Sequence, residues 1–241
     1  MFEFISIAYC LIYGQCAPPP CFDETVNANR YTICRVDLAK SQLGLFLNDD
    51  QGKPYGSLRV FRGSILDKGK SLSFAMNGGM YHRDYSPVGL YIENGIQQKP
   101  ISTKGGYGNF HLLPNGVFFF DEQGAGVLET KQYLASGEKP KFATQSGPML
   151  VINGKLHPRF LQYSDSLKIR NGVGIREGGR IVYFAISHSP VRFWDFGELF
   201  QTHLKTPNAL FLDGSISSLL TLENERSLYM PAGPIIGVVV E

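Results

Sequence analysis

Four stretches of the 241-residue chain share one design, in which a short apolar run ends in small and polar residues. In the first, the apolar run Leu72 to Met76 leads into Asn77, Gly78 and Gly79. Asn and Gly enter positive-φ conformations at little cost, so this turn should present backbone N–H groups and an amide at a strand end. Such a corner suits an anion or a sugar hydroxyl, although a long β-hairpin with a Gly-rich corner has the same pattern.

The other three stretches place acidic, basic and hydroxyl side chains at the corresponding position. They are Thr144 to Pro148, which includes Ser146 and Gly147; Ile169 to Ile175, which includes Arg170 and Asn171; and Leu210 to Ser218, which includes Asp213, Gly214, Ser217 and Ser218. The serines either hydrogen-bond a ligand or cap turns. Loops at strand ends are where distant parts of a chain converge on one pocket, so we predict that these corners meet.

Asp213 and Arg170 carry the charges of this set. Asp213 follows the apolar residues Leu210 to Leu212 and precedes Gly214, which places it at the end of a strand that we predict to be buried. A carboxylate there is either a turn-forming residue or a catalytic, ligand-orienting group. Arg170 offers a guanidinium beside a Gly-rich turn, which suits bidentate recognition of phosphate but is also found in surface salt bridges.

The histidines and the remaining motifs exclude several kinds of site. The five histidines show no metal-ligand spacing, so we predict no metal and no cofactor. His188 follows a predicted strand that ends at Ser187, in a position to reach the same pocket. The chain has neither a P-loop nor a G-x-S-x-G nucleophile elbow, which argues against a serine hydrolase.

The composition is that of a globular protein with one large domain or two small ones. Hydrophobic residues make up 43% and charged residues 18%, with a net charge of +2 and no basic run that would indicate nucleic acid. No stretch is long and apolar enough to span a bilayer, so we predict no integral membrane segment in the mature protein. The 27 glycines and the aromatic content of 12% favour strands and turns over helices.

The hydrophobic pattern predicts a single β-rich α+β domain over residues 18–241, with a mixed or antiparallel sheet and one main amphipathic helix at about 193–204. A shorter helix is predicted over Glu129 to Ser136, and Asn94-Gly95 and Asn153-Gly154 predict two tight hairpins. The predicted strands are Tyr31–Leu38, Gly44–Leu47, Leu58–Phe61, Leu72–Met76, Val88–Ile92, His111–Leu113, Val117–Phe120, Gly126–Leu128, Pro148–Ile152, Val173–Arg176, Arg180–Ser187, Ala209–Leu212, Ser218–Leu222 and Ile235–Val240.

The N-terminus is typical of an exported protein. Residues 1–17 contain an apolar run, Phe4 to Tyr13, followed by small residues and a run of three prolines. A buried N-terminal strand is the alternative. Export predicts a periplasmic or extracellular location and a disulfide between Cys21 and Cys34, worth about 3 kcal/mol on the loop-entropy model.

Several separated segments resemble, in order along the chain, the phosphodiester glycosidase family. They are NGGMY at Asn77–Tyr81, SPVGLYIENG at Ser86–Gly95, GNFHLLPNGVFF at Gly108–Phe119, QSGPMLVINGKLHPRF at Gln145–Phe160, IRNGVGI at Ile169–Ile175 and NALFLDGSISSL at Asn208–Leu219. The resemblance extends from about Arg35 to the C-terminus and is greatest for exported bacterial members. Animal members carry Asp-Gly-Gly-Gly-Ser where this chain has Asp213, Gly214, Ser215, Ile216 and Ser217. The resemblance therefore implies the reaction class more strongly than it implies N-acetylglucosamine as the sugar.

The family resemblance implies hydrolysis of the anomeric C–O bond of a sugar-1-phosphodiester on a carbohydrate or phosphoglycan substrate. Arg170 would then stabilise the phosphate leaving group, and Asp213 would support the oxocarbenium-like transition state or act as the base, with Asp84 as the candidate second carboxylate. The expected substrate-binding residues are Asn77, Gly78, Gly79, Ser146, Gly147, Asn171, Gly214, Ser217, Ser218 and His188. The rival functions are a non-catalytic glycan-binding module, an ordinary glycosidase and a metal-dependent phosphodiesterase.

Overall fold

The fold is known from a computed structural model, which describes residues 20–213, 217–221, 230–240 and the backbone of 225–226. The predicted signal segment at residues 1–17 and the candidate residue Gly214 lie outside the described residues. None of the described helices is both long and apolar enough to cross a membrane.

The described strands form three sheets, and every pair of neighbouring strands runs antiparallel. The largest sheet has the order β1 (Cys21–Val26), β2 (Asn29–Asp37), β13 (Ile181–Ser187), β12 (Asn171–Arg176), β14 (Asn208–Asp213), β10 (Met149–Ile152) and β11 (Lys155–Leu156). The second has the order β16 (Glu225–Arg226), β15 (Leu219–Thr221), β4 (Ser71–Asn77), β17 (Ile235–Val240) and β3 (Leu43–Phe46). The third has the order β6 (Ile96–Lys99), β5 (Tyr91–Glu93), β9 (Phe142–Ser146), β7 (Gly116–Asp121) and β8 (Gly124–Glu129).

One hydrophobic core lies between the three sheets. Phe74 of the second sheet and Phe118 of the third both contact Phe184 of the largest sheet, with ring centroids 5.4 Å and 5.9 Å apart. All three rings are fully buried, and each such burial contributes roughly 1.5–3 kcal/mol. Because the sheets share this core, the ends of strands from different sheets are held in fixed positions relative to one another.

Helices cover the outer face of each sheet. Helix α1 (Leu58–Asp67) packs on the second sheet and α2 (Thr130–Ser136) on the third. Helix α3 (Phe193–Glu198) packs on the largest sheet and continues as a π-helical turn, Leu199–His203. The α+β architecture and the predicted helices at 193–204 and 129–136 are confirmed, and the described sheets are antiparallel rather than mixed.

Three local predictions are wrong. The predicted strand Leu58–Phe61 is the start of α1, which Ser57 caps by accepting a hydrogen bond from the Val60 N–H. The predicted strand His111–Leu113 overlaps a 3-10 turn, Asn109–His111. The small residues Thr144 to Ser146 belong to strand β9 rather than to a turn. For α1, packing of Leu58, Phe61 and Ile65 against the second sheet outweighs the weak local strand pattern.

The two Asn-Gly hairpins are confirmed. Asn94 and Gly95 have φ values of 53° and 78°, and Asn153 and Gly154 have values of 49° and 79°. Positive φ at both central residues is the requirement of a type I′ turn, whose twist matches that of the flanking strands.

The N-terminal hairpin is closed by the predicted disulfide. Cys21 of β1 lies opposite Cys34 of β2, and the two sulfurs are bonded across 13 residues of chain. We expect replacement of both cysteines by serine to lower the free energy of unfolding by about 3 kcal/mol, because the unfolded chain loses a loop constraint. Urea denaturation measures this difference, and reduced wild-type protein should match the double variant. Equal midpoints for oxidised wild type and variant would contradict the prediction.

An ion pair between the exposed Arg180 side chain and the buried Asp37 side chain ties the far end of β2 to the start of β13. The Arg180 guanidinium donates from Nε to Asp37 Oδ1 at 3.0 Å and from Nη2 to Asp37 Oδ2 at 2.7 Å. These hydrogen bonds lower the pKa of Asp37 from 3.8 to about 2. Because the folded pKa lies below the unfolded one, this stabilisation is complete above the unfolded pKa and disappears as the pH falls through the folded pKa.

We therefore expect Asp37→Asn to have a lower melting temperature than wild type near neutral pH, and the difference to vanish as the pH approaches about 2. Asp50→Asn is the control, because Asp50 pairs with Lys68 at 2.7 Å with a carboxylate side chain that is 78% exposed. Such an exposed pair should have no measurable effect. A melting difference for Asp37→Asn that is independent of pH would show that the ion pair is not its cause.

Candidate functional site

A network of amide groups joins the ends of β4, β12 and β14. Asn171 Nδ2 donates to the Asn77 carbonyl oxygen at 3.1 Å and to Asn77 Oδ1 at 2.9 Å. Asn171 Oδ1 accepts a hydrogen bond from the Asp213 N–H at 2.9 Å, and the Ser218 N–H donates to Asn77 Oδ1 at 2.9 Å. All four residues are buried. Corners separated by 94 and 141 residues along the chain therefore meet, as the sequence predicted.

An irregularity in strand pairing places Asp213 opposite Asn171. The register of β12 on β14 shifts so that Asn171 faces Asp213 while Gly172 faces Phe211, which leaves Leu212 as the extra residue. A bulge of this kind disrupts the local ladder and re-aims side chains. The Asp213 N–H consequently bonds to the Asn171 side chain.

Asp213 lies almost fully buried at the end of β14, with 8% of its surface exposed. It lies close enough to Tyr81 for its charge to raise the pKa of that phenol, an effect second to that of burial. Tyr81 therefore stays neutral, and its hydroxyl donates to the Pro231 carbonyl at 2.7 Å. A carboxylate in these surroundings is screened from bulk water, which strengthens its interaction with a developing positive charge.

The hydroxyl groups of two candidate serines donate hydrogen bonds to backbone carbonyls. Ser146 Oγ donates to the Leu212 carbonyl at 2.8 Å, and Ser217 Oγ donates to the Asp213 carbonyl at 3.0 Å. Both hydroxyls therefore hold the end of β14 in place. Their oxygens keep lone pairs that can still accept a hydrogen bond from a ligand.

The two glycines after Asn77 have a different role from the expected one. The Gly78 N–H donates to the Pro234 carbonyl at 2.6 Å, so it is not a bare donor for an anion. A Cβ atom on Gly78 would lie 2.7 Å from Ile236 Cγ1, and one on Gly79 would lie 2.7 Å from Thr144 Oγ1. Neither glycine has a positive φ. These positions need glycine because the neighbouring strands approach so closely.

Gly147 is likewise a close-packing position. A Cβ atom there would lie 2.6 Å from the Asn115 Cβ. The residue connects Ser146 to the start of β10 and so helps to set where the Ser146 hydroxyl meets β14.

Arg170 is buried in an aromatic cluster on the helix-covered face of the largest sheet. Its Cζ lies 3.5 Å from the centroid of the Phe193 ring and 5.6 Å from that of Phe211. Nε donates to the Val191 carbonyl at 2.9 Å, and Nη2 donates to the Ser166 carbonyl at 3.0 Å. Nη1 is buried and has no hydrogen-bond partner among the described residues.

No described carboxylate lies close enough to Arg170 to neutralise its positive charge. Burial lowers its pKa to about 10, so it remains a cation at neutral pH, and Asp195 favours that charge from a distance. None of the described carboxylates forms an ion pair with it. Arg170 and Asn171 are consecutive, and their side chains point to opposite faces of the sheet. Arg170 therefore flanks the amide network rather than joining it.

Aromatic residues that the sequence analysis did not single out form one wall beside Arg170. Phe193 stacks on Phe160 with centroids 5.0 Å apart, and Phe160 stacks on His157 at 4.8 Å. Burial lowers the pKa of His157 to about 4, so this histidine is neutral at physiological pH. Trp194, next to Phe193, has a buried Nε1 with no described partner. The sequence signals for this wall are the apolar spacing of the predicted helix, which begins at Phe193, and the adjacent aromatic Trp194.

Asp84 and His188 are not placed in the network. Asp84 is exposed, and its Oδ1 accepts hydrogen bonds from the N–H and Oγ of Ser86 at 3.0 Å and 2.7 Å, which lower its pKa. It is thus a turn-forming residue. The His188 ring faces the β1–β2 hairpin, with Nε2 at 2.9 Å from Thr32 Oγ1 and 3.2 Å from Asp23 Oδ1. The described part of the chain holds no cluster of three or more potential metal ligands.

Comparison with known proteins gives consistent matches. The family model for phosphodiester glycosidases matches residues 70–235. Uncharacterized protein YigE of Escherichia coli K12 is 36% identical over 197 residues, which cover 82% of this chain and 75% of that protein.

Two solved structures share the fold. One is the zebrafish N-acetylglucosamine-1-phosphodiester alpha-N-acetylglucosaminidase catalytic domain, auto-inhibited by its pro-peptide, with a TM-score of 0.62 and 15% identity over 90% of this chain and 81% of that chain. The other is a hypothetical protein from Synechocystis, with a TM-score of 0.57 and 13% identity over 92% of this chain and 61% of that chain. The matched family region, 70–235, contains Asn77, Arg170, Asn171 and Asp213.

Proposed function

The chain belongs to the phosphodiester glycosidase family, and we propose on this basis that it hydrolyses the anomeric C–O bond of a sugar-1-phosphodiester. Water adds to C1 of the sugar, the C1–O bond breaks, and the products are a free sugar and a phosphomonoester. The observation that carries the proposal is the position of Asp213, which Asn171 holds beside Asn77 where strands of two sheets end together.

Asp213 suits the sugar half of this reaction. An oxocarbenium-like transition state needs a nearby negative charge, and the attacking water needs a base to take its proton. The carboxylate is almost fully buried, and its backbone is held by Asn171 and Ser217. A charge held in this way needs little reorganisation during the reaction.

Arg170 suits the phosphate half. A phosphate monoester is already a weak base, so its departure depends more on electrostatic stabilisation than on protonation. The guanidinium is a buried cation with one unpartnered nitrogen among the described residues and no carboxylate paired with it. Arg170 is fully buried and its side chain lies on the other face of the sheet from that of Asn171, so a phosphoryl group that supplies the missing negative charge would have to enter at the strand ends, between the two faces.

Export and a cell-envelope or environmental glycan as substrate complete the proposal. The Cys21–Cys34 disulfide supports an oxidising compartment such as the periplasm or the extracellular space. The zebrafish relative is named for N-acetylglucosamine-1-phosphodiesters, so methyl esters of sugar 1-phosphates, including that of N-acetylglucosamine, are the first compounds to test.

The test is a product analysis in ¹⁸O-labelled water with a metal chelator present. We expect free sugar and methyl phosphate, with the label in the sugar hydroxyl at C1. Sugar 1-phosphate and methanol, with activity lost in chelator, would instead identify a metal-dependent phosphodiesterase. Retained binding without turnover across the panel would identify a binding module.

A further inference from the structure

The side-chain amide of Asn77 has one possible orientation and one unused end. Its Oδ1 accepts hydrogen bonds from Asn171 Nδ2 and from the Ser218 N–H, both at 2.9 Å. A flipped amide would set its NH₂ group against these two donors, so the remaining atom is the nitrogen. The hydrogen-bond partners therefore determine which end of the amide is the donor.

Asn171 is oriented in the same way. Its Oδ1 accepts the Asp213 N–H, and its Nδ2 donates to both oxygens of Asn77. The hydrogen bonds therefore run in one direction, from the Asp213 backbone through Asn171 to Asn77. Chains of this kind polarise their members, which makes the terminal N–H a stronger donor.

The terminal Nδ2 of Asn77 is buried and has no partner among the described residues. Native structures seldom leave a buried amide donor unpaired, because its lost hydration is not replaced. A strand end beside the candidate catalytic carboxylate is a place where a ligand can replace it.

We propose that Asn77 Nδ2 donates a hydrogen bond to an oxygen acceptor of the bound substrate, and that Asn171 and Ser218 are positioning residues that hold it in that orientation. The acceptor is either a non-bridging phosphoryl oxygen or an oxygen of the sugar. This inference rests on the proposed function only for the identity of the substrate. The donor role itself follows from the hydrogen-bond network.

Asn77→Asp replaces the unpartnered N–H donor by a carboxylate oxygen, which is an acceptor, while keeping the size of the side chain. The aspartate still accepts from Asn171 and Ser218, but it presents a carboxylate oxygen to the substrate oxygen. We expect kcat/KM relative to wild type to fall roughly 100-fold at neutral pH. Burial raises the pKa of such a carboxyl, and its protonated form is again a donor, so much of the loss should be recovered by about pH 5.

Asn115→Asp is the matched control. Asn115 is also buried, and both ends of its amide have partners within the fold, since Nδ2 donates to the Phe110 carbonyl and Oδ1 accepts from Thr130 Oγ1. Its replacement should lower the melting temperature without a pH-dependent change in kcat/KM. A purely structural role for Asn77 would make the two variants behave alike.

The experiment compares folded wild type and variants at about pH 5 and about pH 8. It measures kcat/KM on the methyl ester of a sugar 1-phosphate, and it measures by calorimetry the binding of N-acetylglucosamine 1-phosphate, methyl phosphate and N-acetylglucosamine. Weaker binding of methyl phosphate by Asn77→Asp assigns the acceptor to the phosphoryl group, and weaker binding of the sugar assigns it to the sugar. If Asn77→Asp does not fold, Asn171→Asp replaces it. Its ionised side chain cannot donate to Asn77, and the same acid recovery is expected.

The inference would be overturned if Asn77→Asp had the same kcat/KM as wild type at neutral pH. It would also be overturned if kcat/KM fell and did not recover at acid pH. Failure of wild type to bind any of the three probes would overturn it as well. If wild type binds the probes with the expected acid-recovered pattern but hydrolyses no phosphodiester, the inference stands and the proposed reaction fails.

Discussion

Asp213→Asn is expected to lower kcat at least roughly 100-fold on any sugar-1-phosphodiester that the protein hydrolyses, while the melting temperature stays near that of wild type. The substitution keeps the size of the side chain and the N–H that bonds to Asn171. It removes the negative charge that would stabilise the transition state or accept the proton of water. Because the amide has nearly the same volume as the carboxylate, we expect the packing around this almost fully buried side chain to be retained.

Asp84→Asn is the control for this prediction. Asp84 was the other candidate carboxylate, but it is exposed and hydrogen-bonded to Ser86. Its replacement should leave kcat within about twofold of wild type. An unchanged rate for Asp213→Asn would remove Asp213 from the mechanism, and a large loss for Asp84→Asn would show that the turn formed by Asp84 and Ser86 contributes to catalysis.

Arg170→Lys is expected to have the second-largest effect, a roughly 10- to 100-fold loss in kcat/KM with weaker inhibition by methyl phosphate. Lysine keeps the charge, but it cannot stack on Phe193 while bonding the Val191 and Ser166 carbonyls. The variant should also be less stable by about 1–3 kcal/mol, because these buried acceptors lose their donors. Steady-state kinetics and urea denaturation measure the two effects separately.

Arg192→Lys separates phosphate recognition from loop anchoring. Arg192 Nε donates to the Ser164 carbonyl at 2.9 Å and so ties down the same 161–168 segment that Arg170 holds through Ser166. If Arg170 binds the phosphoryl group, methyl phosphate should inhibit Arg192→Lys as strongly as wild type. Equal loss of inhibition in both variants would mean that Arg170 acts only by holding the segment.

Local sequence was sufficient wherever the physical cause is local. The turns at Asn94-Gly95 and Asn153-Gly154 need positive φ at both positions, a requirement that few residue pairs meet as easily. The apolar spacing from Phe193 to Leu204 marks one face of a helix, and the structure buries that face on the largest sheet. The Cys21–Cys34 disulfide closes a hairpin between nearby residues.

Predictions from local sequence were wrong where contacts with distant segments determine the conformation or the hydrogen bonds of a residue. Gly78 has the sequence context of a bare turn, but its N–H is taken by Pro234, more than a hundred residues away. Leu58 to Phe61 contains three apolar residues in four, which fits either a buried strand or the start of a helix. Contact of Leu58, Phe61 and Ile65 with the second sheet selects the helix.

By itself the sequence determined that polar corners end several apolar strands, and that Asn77, Asn171 and Asp213 are among the residues they carry. Only the tertiary structure decided how those residues pair, because a strand turns successive side chains to opposite faces and a bulge changes that alternation. The extra residue Leu212 in β14 places Asp213 opposite Asn171, which bonds Asn77, while Arg170, one residue before Asn171, packs on the aromatic wall of the opposite face. That choice depends on the register between strands far apart in the chain, which one-dimensional patterns do not contain.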